Sequence, residues 1–347
     1  MKTIKKLALK LDDFGSDYGL VFDRSVIRNT CQKLSGELKG YEVHFSVKSF
    51  PHPDFLKVIA PFILGWDVST KSELDLIRSL MKPEHSLWLT NSSTQVLSLA
   101  LQVSSRPYFT LDHTTDLNFD YPENVQLGLR LDPYSLLDRG HSRYGFMLSQ
   151  LDSLPARLKK RIKYLHAHCP GMIGGSELNG MRSAMEKILA EFPGVELINL
   201  GGGLTNANID SFEMLQEIHP TPKLAIEPGR WFSEAAGSAF TKIQSIYEKG
   251  GDLYLVSQLS VEAHLKWGRG MSYTFINQGP QNNQAYLKLI YSSSNALETD
   301  RIVMKQTPGA LSLSVGDWLV LEGVPGYAVA WNHQFNGVAE APIYFIE

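Results

Sequence analysis

Cysteine is almost missing from this chain. Two occur in 347 residues, Cys31 and Cys169, which sets aside a disulfide-stapled scaffold and makes a reducing cytoplasm the expected setting. Long apolar runs are missing as well. No stretch has the length and apolarity to span a bilayer, and the lysines of the opening ten residues are not followed by the apolar core or cleavage site of a secretory leader. Charge of one sign accumulates nowhere: 33 basic and 36 acidic residues give a formal net charge of −3 without long runs. Such a surface has no electrostatic footprint for nucleic acid or an anionic membrane, which leaves small molecules as the expected partners. There is no repeat and no low-complexity tract. What remains is a globular composition, 43% apolar, long enough for one barrel-sized domain or two smaller ones.

Short runs rich in β-branched and aromatic residues recur at 41–48, 65–71, 87–91, 108–112, 126–132, 164–169, 197–203 and 223–229. Between them lie helical patterns such as Ser72–Leu80 and 175–192, the latter with Leu178, Met181, Met185, Ile188 and Leu189 at helical spacing. Eight strands alternating with helices predict an α/β fold, a (β/α)8 barrel. From about Ala239 onward, β-like runs such as Leu253–Val256, Tyr286–Ile290 and Trp318–Leu321 follow one another without long helices, which predicts a C-terminal antiparallel β domain. The division reads as barrel 21–238 and β domain 239–347, the latter joined by residues 1–20.

A barrel of this type carries its site at the carboxyl ends of its strands. Those ends are polar here. Lys48 closes the first strand before Pro51 and Pro53, Arg130 lies near the end of the fifth, and His168 ends the sixth. Gly201-Gly202-Gly203 closes the seventh and Glu227-Pro228-Gly229-Arg230 the eighth. Singly, each has a bland alternative: a solvated lysine, a tight turn, a satisfied core histidine, an arginine paired with Asp132 or Asp67. Together they converge. Glycine N–H groups after strand seven with an arginine after strand eight suit a phosphate, and a lysine across the mouth suits a phosphorylated aldehyde held as a Schiff base.

The same residues carry a family resemblance. Phe45-Ser46-Val47-Lys48-Ser49 resembles the cofactor-lysine motif Y-A-V-K-A of the fold-type III pyridoxal-phosphate decarboxylases, which act on diaminopimelate, ornithine, arginine or carboxynorspermidine and combine an alanine-racemase-like barrel with a β domain. Gly65-Trp66-Asp67-Val68-Ser69 with Glu73-Leu74 is similar to the family's G-F-D-V-A-S…E-L, His166-Ala167-His168 to H-x-H, and Leu200-Gly201-Gly202-Gly203 and Glu227-Pro228-Gly229-Arg230 to the phosphate loop and E-P-G-R. Gly326-Tyr327 and Phe335-Asn336-Gly337 are similar to G-A-Y…F-N-G. The resemblance covers nearly the whole chain. It implies pyridoxal 5'-phosphate as cofactor, bound by Lys48, Arg130, His168, Gly202, Gly203, Glu227, Gly229, Arg230 and Tyr327, with no metal. It further implies that Lys48, His168 and Glu227 are catalytic. Lys48 would form the Schiff base, His168 would stack on the ring, and Glu227 would keep the pyridine nitrogen protonated for decarboxylation through a quinonoid. The family's arrangement implies a homodimer with shared sites and an amino-acid-like substrate.

The departures matter equally. Where the family reads C-[DE]-x-x-D, with a cysteine that protonates the α-carbon and an acid that holds the substrate's far end, this chain reads Ala296-Leu297-Glu298-Thr299-Asp300. Ser257-Gln258-Leu259 stands in place of N-D-G. A distal ammonium would then lack a partner, which weighs against ornithine and lysine as substrates. His264, Lys266 and Arg269 are either a site for an anionic or bulky far end or a solvated basic segment. Cys169 follows His168 directly and so faces the opposite side of its strand, which makes it a structural cysteine. The reading is an amino-acid decarboxylase of divergent specificity. Its rivals are an amino-acid racemase, a Schiff-base aldolase without cofactor, and a regulatory pseudoenzyme.

Overall fold

A computed structural model describes residues 2–168, 174–205, 208–218, 222–268, 271–276, 288–295, 297–304 and 313–347. Cys169, Arg269, Tyr286, Leu287 and Ala296 lie outside the described residues. The chain forms two compact units: Asn29–Trp231, and a second made of Met1–Arg28 with Phe232–Glu347.

Strand β1 (Tyr18–Asp23) precedes the first unit's strands. These are β2 (Tyr41–Ser46), β3 (Gly65–Val68), β4 (Ser86–Leu89), β5 (Tyr108–Leu111), β6 (Gln126–Leu131), β7 (Ile162–Ala167), β8 (Leu197–Asn199) and β9 (Lys223–Ile226). All eight pair in parallel, in chain order, and β9 returns to β2 through Tyr41↔Leu224, Glu42↔Ala225 and Val43↔Ile226. The expected (β/α)8 barrel is therefore closed. Its strands are nearly continuous apolar runs because both faces are covered. The expected helices are there, each ending in a tightened turn: Lys71–Ile77 runs into Arg78–Leu80, and Gly175–Lys187 is followed by Leu189–Glu191. Thr70 starts the former by accepting the Glu73 N–H at its hydroxyl.

The barrel is packed, not hollow. Trp88 stacks on Tyr108 with centroids 4.2 Å apart and meets Tyr164 edge-on at 4.6 Å, and the Tyr164 hydroxyl is 2.6 Å from Thr110 Oγ1. Gly128 faces that ring from the neighbouring strand. A Cβ at Gly128 would lie 2.0 Å from Tyr164 Cζ, so a glycine is what admits the tyrosine. With this aromatic layer filling the interior, polar side chains nearer the strand ends have a solid floor.

The second unit holds two sheets. Strands β10 (Gly237–Lys242), β11 (Ser245–Lys249), β12 (Asp252–Ser257), β13 (Ser272–Ile276), β14 (Leu289–Ser293), β15 (Arg301–Met304), β16 (Trp318–Glu322) and β17 (Ile343–Ile346) join β1 in the orders β13-β16-β10-β1-β17 and β11-β12-β14-β15. The expected β domain is antiparallel except at two pairings, β1 with β17 and β12 with β14, which run parallel. Leu7, Leu11, Val21, Phe240, Trp318, Val320 and Ile346 form a core of this unit. By compactness the chain divides at residues 28/29 and 231/232. The reason is hydrogen bonding: β1 is laddered to β10 from Tyr18↔Thr241 to Phe22↔Gly237. Among the described residues no helix is long and apolar enough to cross a membrane.

Candidate active site

Lys48 stands where β2 stops. The strand ends in the short turn Val47–Ser49, and Pro53 opens the next helix with His52 as its cap, the ring Nδ1 accepting the Asp54 N–H at 3.2 Å. Proline cannot extend a β ladder but suits the first turn of a helix, so the two prolines after the turn keep the strand from resuming and pass the chain to the next helix, leaving Lys48 just past the strand end. Its Nζ lies 3.9 Å from Asp67 Oδ2 on β3, and the Lys48 side chain is 47% exposed. Asp67 is wholly buried. It accepts a 2.9 Å hydrogen bond from Ser46 Oγ, its register partner. Burial and then the charge of Glu227 push the Asp67 carboxyl up from its ordinary value, while Lys48 opposes them.

Glu227 follows β9 directly and is 6% exposed. Asn199 Nδ2 on β8 donates to its Oε1 at 2.7 Å, and His166 Nε2 on β7 lies 3.7 Å from the same oxygen. Burial works against its charge, but His166 and then Lys48 favour the charged form and hold the carboxyl well below the usual range. Glu227 is thus an ionised group kept out of water.

His168 follows β7 directly, and its Nδ1 accepts the Gly202 N–H at 2.9 Å. Burial, reinforced by His166, lowers its pKa to about 4, so the ring is neutral with its proton on Nε2. The glycine loop is built against this ring. Gly201 has φ +68°, and a Cβ there would lie 2.6 Å from His168 Nδ1; one at Gly202 would lie 3.1 Å from the Glu227 carbonyl. The Gly201 N–H donates to Asn199 Oδ1 at 2.9 Å. Two of the loop's N–H groups are therefore committed within the protein, including that of Gly202, expected at the phosphate. Gly203 (φ +92°) follows, its carbonyl held by Asn208 Nδ2 at 2.9 Å. Gly229 and Arg230 are partly buried, and Arg230 opens the turn Arg230–Phe232.

Arg130 pairs neither with Asp132 nor with Asp67. Its Nη1 donates to Asp112 Oδ2 at 2.9 Å, both side chains buried, and its guanidinium lies over the Tyr144 ring at 4.6 Å. Asp132 instead caps the following turn by accepting the Tyr134, Ser135 and Ser142 N–H groups. Asp112, Asn199 and His166 are the partners the sequence did not single out. Each is a polar residue at or next to the carboxyl end of an apolar strand, which is the signal that could have found them.

In the second unit, Tyr327 opens the helix Tyr327–Trp331 with its ring 5.9 Å from Trp267. Asp300 is fully buried and spoken for. It accepts from Ser260 Oγ (2.6 Å), Ser293 Oγ (2.7 Å) and the Val261 and Glu262 N–H groups. His264 is equally satisfied: Nδ1 accepts the Ser260 N–H at 3.0 Å and Nε2 lies 3.0 Å from the Ala339 carbonyl. Lys266 pairs with Glu262 at 3.3 Å. Of the two readings of the basic segment, the half-exposed Lys266 fits the solvated one, whereas His264 is fully buried, its pKa lowered to about 4 by burial, and fits neither. Cys31, the described cysteine, is buried, and burial pushes its thiol up to about 12.

No family model matches the chain. A curated relative described as a probable ornithine decarboxylase from Dictyostelium discoideum is 21% identical over 389 aligned positions, covering 99% of this chain and 82% of that protein. Among solved structures, the lysine/ornithine decarboxylase of Vibrio vulnificus, complexed with cadaverine, superposes with TM-score 0.82 at 20% identity over 99% of this chain and 98% of that one. The arginine decarboxylase of Paramecium bursaria Chlorella virus gives 0.83 at 15% identity, covering 98% of this chain and 99% of its own. The fold is that of the fold-type III decarboxylases.

For such a fold the implied group is pyridoxal phosphate, and the residues present fit it. A buried, ionised Glu227 suits a protonated ring nitrogen, Lys48 ends a strand of the same barrel, and a neutral imidazole borders the glycine loop.

Proposed function

We propose that this protein is a pyridoxal-phosphate-dependent amino-acid decarboxylase. The observation that carries the reading is that one barrel holds both Lys48, just past one strand end and 3.9 Å from the buried Asp67, and Glu227, a buried carboxylate held in its charged form just past another. When bound, the cofactor supplies an electron-poor ring that accepts the electron pair left at the α-carbon as CO2 departs. Lys48 would hold the cofactor through its amine, and Asp67 beside it would exchange a proton with Nζ. Glu227 would keep a proton on the ring nitrogen, oriented by Asn199. His168 would border the ring, while Gly203, Gly229 and Arg230 would hold the phosphate. In that event the Gly202 N–H stays with His168 unless the ring turns. Arg130, tied to Asp112, would act as a fixed wall beside His168.

The substrate is an amino acid whose far end is not a free ammonium, because Asp300 is saturated by four donors and Ser257 bonds Tyr291 at 2.8 Å. The working assembly in this reading is a homodimer. The test is a visible spectrum of the purified protein with pyridoxal phosphate before and after borohydride, peptide mapping of the adduct, and CO2 release from a panel of amino acids. Reduction onto Lys48 with CO2 release supports the reading. An adduct at Lys48 without CO2 from any amino acid would leave only a cofactor-binding protein, and no adduct would remove the cofactor.

A further inference from the structure

His166 lies two residues before His168 on β7, on the same face of the strand, and is 1% exposed. Among the described residues neither of its ring nitrogens has a polar partner within 3.5 Å, Nε2 standing 3.7 Å from Glu227 Oε1. An imidazole buried in that state is costly, and an apolar side chain would fill the space without the penalty. Its neighbours show what it is for. It is in register with Arg130 on β6 and with Asn199 on β8, and Asn199 is in register with Ala225, two residues before Glu227. A polar row thus crosses neighbouring strands at one level of the barrel. At that level His166 Nε2 stands 3.7 Å from Glu227 Oε1, the same oxygen that takes the 2.7 Å bond from Asn199.

The other groups around Glu227 are engaged elsewhere or neutral. His168 uses Nδ1 for Gly202, and Lys48 is half exposed beside Asp67. Asp67 opposes a charge on Glu227. His44 on β2 is pushed by burial to about 4 and is neutral, and Tyr164 on β7 is raised well above its ordinary value by burial and is neutral too. His166 instead brings a ring nitrogen to 3.7 Å from Glu227 Oε1, where it favours the charged form of that carboxylate.

We propose that His166 is the positioning residue for Glu227: its Nε2–H faces Oε1 opposite Asn199, keeps the carboxylate ionised, and leaves the other oxygen to serve the cofactor's ring nitrogen. This rests on the reading of Glu227 given above.

The test begins on ligand-free protein. In 15N-histidine NMR, assigned with His166→Gln, the Nε2 of His166 should carry a proton from pH 6 to 9. A ring protonated at Nδ1 alone, with a bare Nε2 toward Glu227, overturns the proposal. The second arm loads wild type, His166→Gln and His166→Leu with pyridoxal phosphate and follows the visible band from pH 6 to 9. Wild type and the glutamine variant, whose amide N–H replaces Nε2–H, should show a band that does not titrate. The leucine variant should show a titration within this range and a kcat at least tenfold lower with KM within about twofold. A leucine variant whose band and pH profile match wild type refutes the proposal, as does a glutamine variant no better than leucine. If His166→Leu fails to fold, the glutamine variant and the NMR tautomer still decide it. If even wild type takes up no pyridoxal phosphate, the proposed function fails, and the tautomer still decides whether His166 serves Glu227.

Discussion

Asn199 joins Glu227 to the glycine loop: its Nδ2 donates to Glu227 Oε1 at 2.7 Å while its Oδ1 accepts the Gly201 N–H at 2.9 Å. One buried amide therefore fixes both the carboxylate meant for one end of a cofactor and the loop meant for the other. Because the amide is fully buried, neither bond competes with water.

Removing the amide should be felt at both ends. Asn199→Leu leaves a buried carboxylate short of a charge-assisted hydrogen bond, worth about 1.5–3 kcal/mol. The expected result is pyridoxal phosphate affinity down by about tenfold or more and turnover reduced further. The check is cofactor titration by absorbance beside steady-state kinetics. Wild-type behaviour in both would make Asn199 a packing residue.

Glu227→Gln should keep the cofactor and slow the chemical step by orders of magnitude, because a neutral amide does not hold a proton on the ring nitrogen. Rapid mixing that follows the cofactor band with a decarboxylated substrate resolves this from binding. An unchanged chemical rate would contradict the assignment.

Gly201→Ala tests the loop. Its φ of +68° disfavours a side chain, and the new Cβ would lie 2.6 Å from His168 Nδ1. Left-handed backbone at alanine costs about 1–2 kcal/mol, and the contact adds to it. The variant should melt several degrees lower and bind pyridoxal phosphate more weakly, measured by thermal melts with and without the cofactor. Gly36→Ala, on a helix with nothing within 4 Å of the new Cβ, should do neither.

Acid should unfold the ligand-free protein earlier than carboxylate titration alone would. His44 and His168 both have folded pKa values lowered to about 4, by burial first. In the unfolded chain they bind protons near pH 6.5, so their contribution to stability is complete above that pH and is lost as pH falls toward 4. Each contributes up to about 1.4 kcal/mol per pH unit over the window. Asp67, raised by burial, works in the opposite direction while it titrates. His44→Phe, which keeps the stack on Trp88 (centroids 4.3 Å), should flatten the slope of unfolding free energy between pH 6.5 and 5. An identical slope in urea melts would mean that His44 is charged in the folded protein.

Asp300→Asn should cost stability without changing substrate preference, since its carboxylate is used up on Ser260, Ser293 and two backbone N–H groups. Losing a buried charged acceptor typically costs several kcal/mol. Urea melts and a substrate panel that includes ornithine and lysine, with CO2, amine and pyridoxamine phosphate measured together, separate the two effects. Clean conversion of ornithine to the diamine by wild type would sink the specificity argument.

The eight barrel strands, the positions of Lys48, His168 and Glu227 at their ends, and a β domain after them could all be read from the sequence. Periodicity and chain-breaking residues are local properties, and Pro51 and Pro53 keep the strand from resuming after the Val47–Ser49 turn whatever lies around them. What tertiary structure alone decided is which polar groups meet. Asp112 lies 18 residues from Arg130 in sequence, Asn199 lies 28 from Glu227 and Gly202 lies 34 from His168, and no local pattern brings such pairs together. The partners of β1 show the same limit, since they lie more than two hundred residues later in the chain. Hydrogen bonding and burial are properties of the assembled interior, so the sequence determined what chemistry was present and where each strand stopped. The fold determined which carboxylates are charged, which histidines are neutral, and which glycine N–H is already taken.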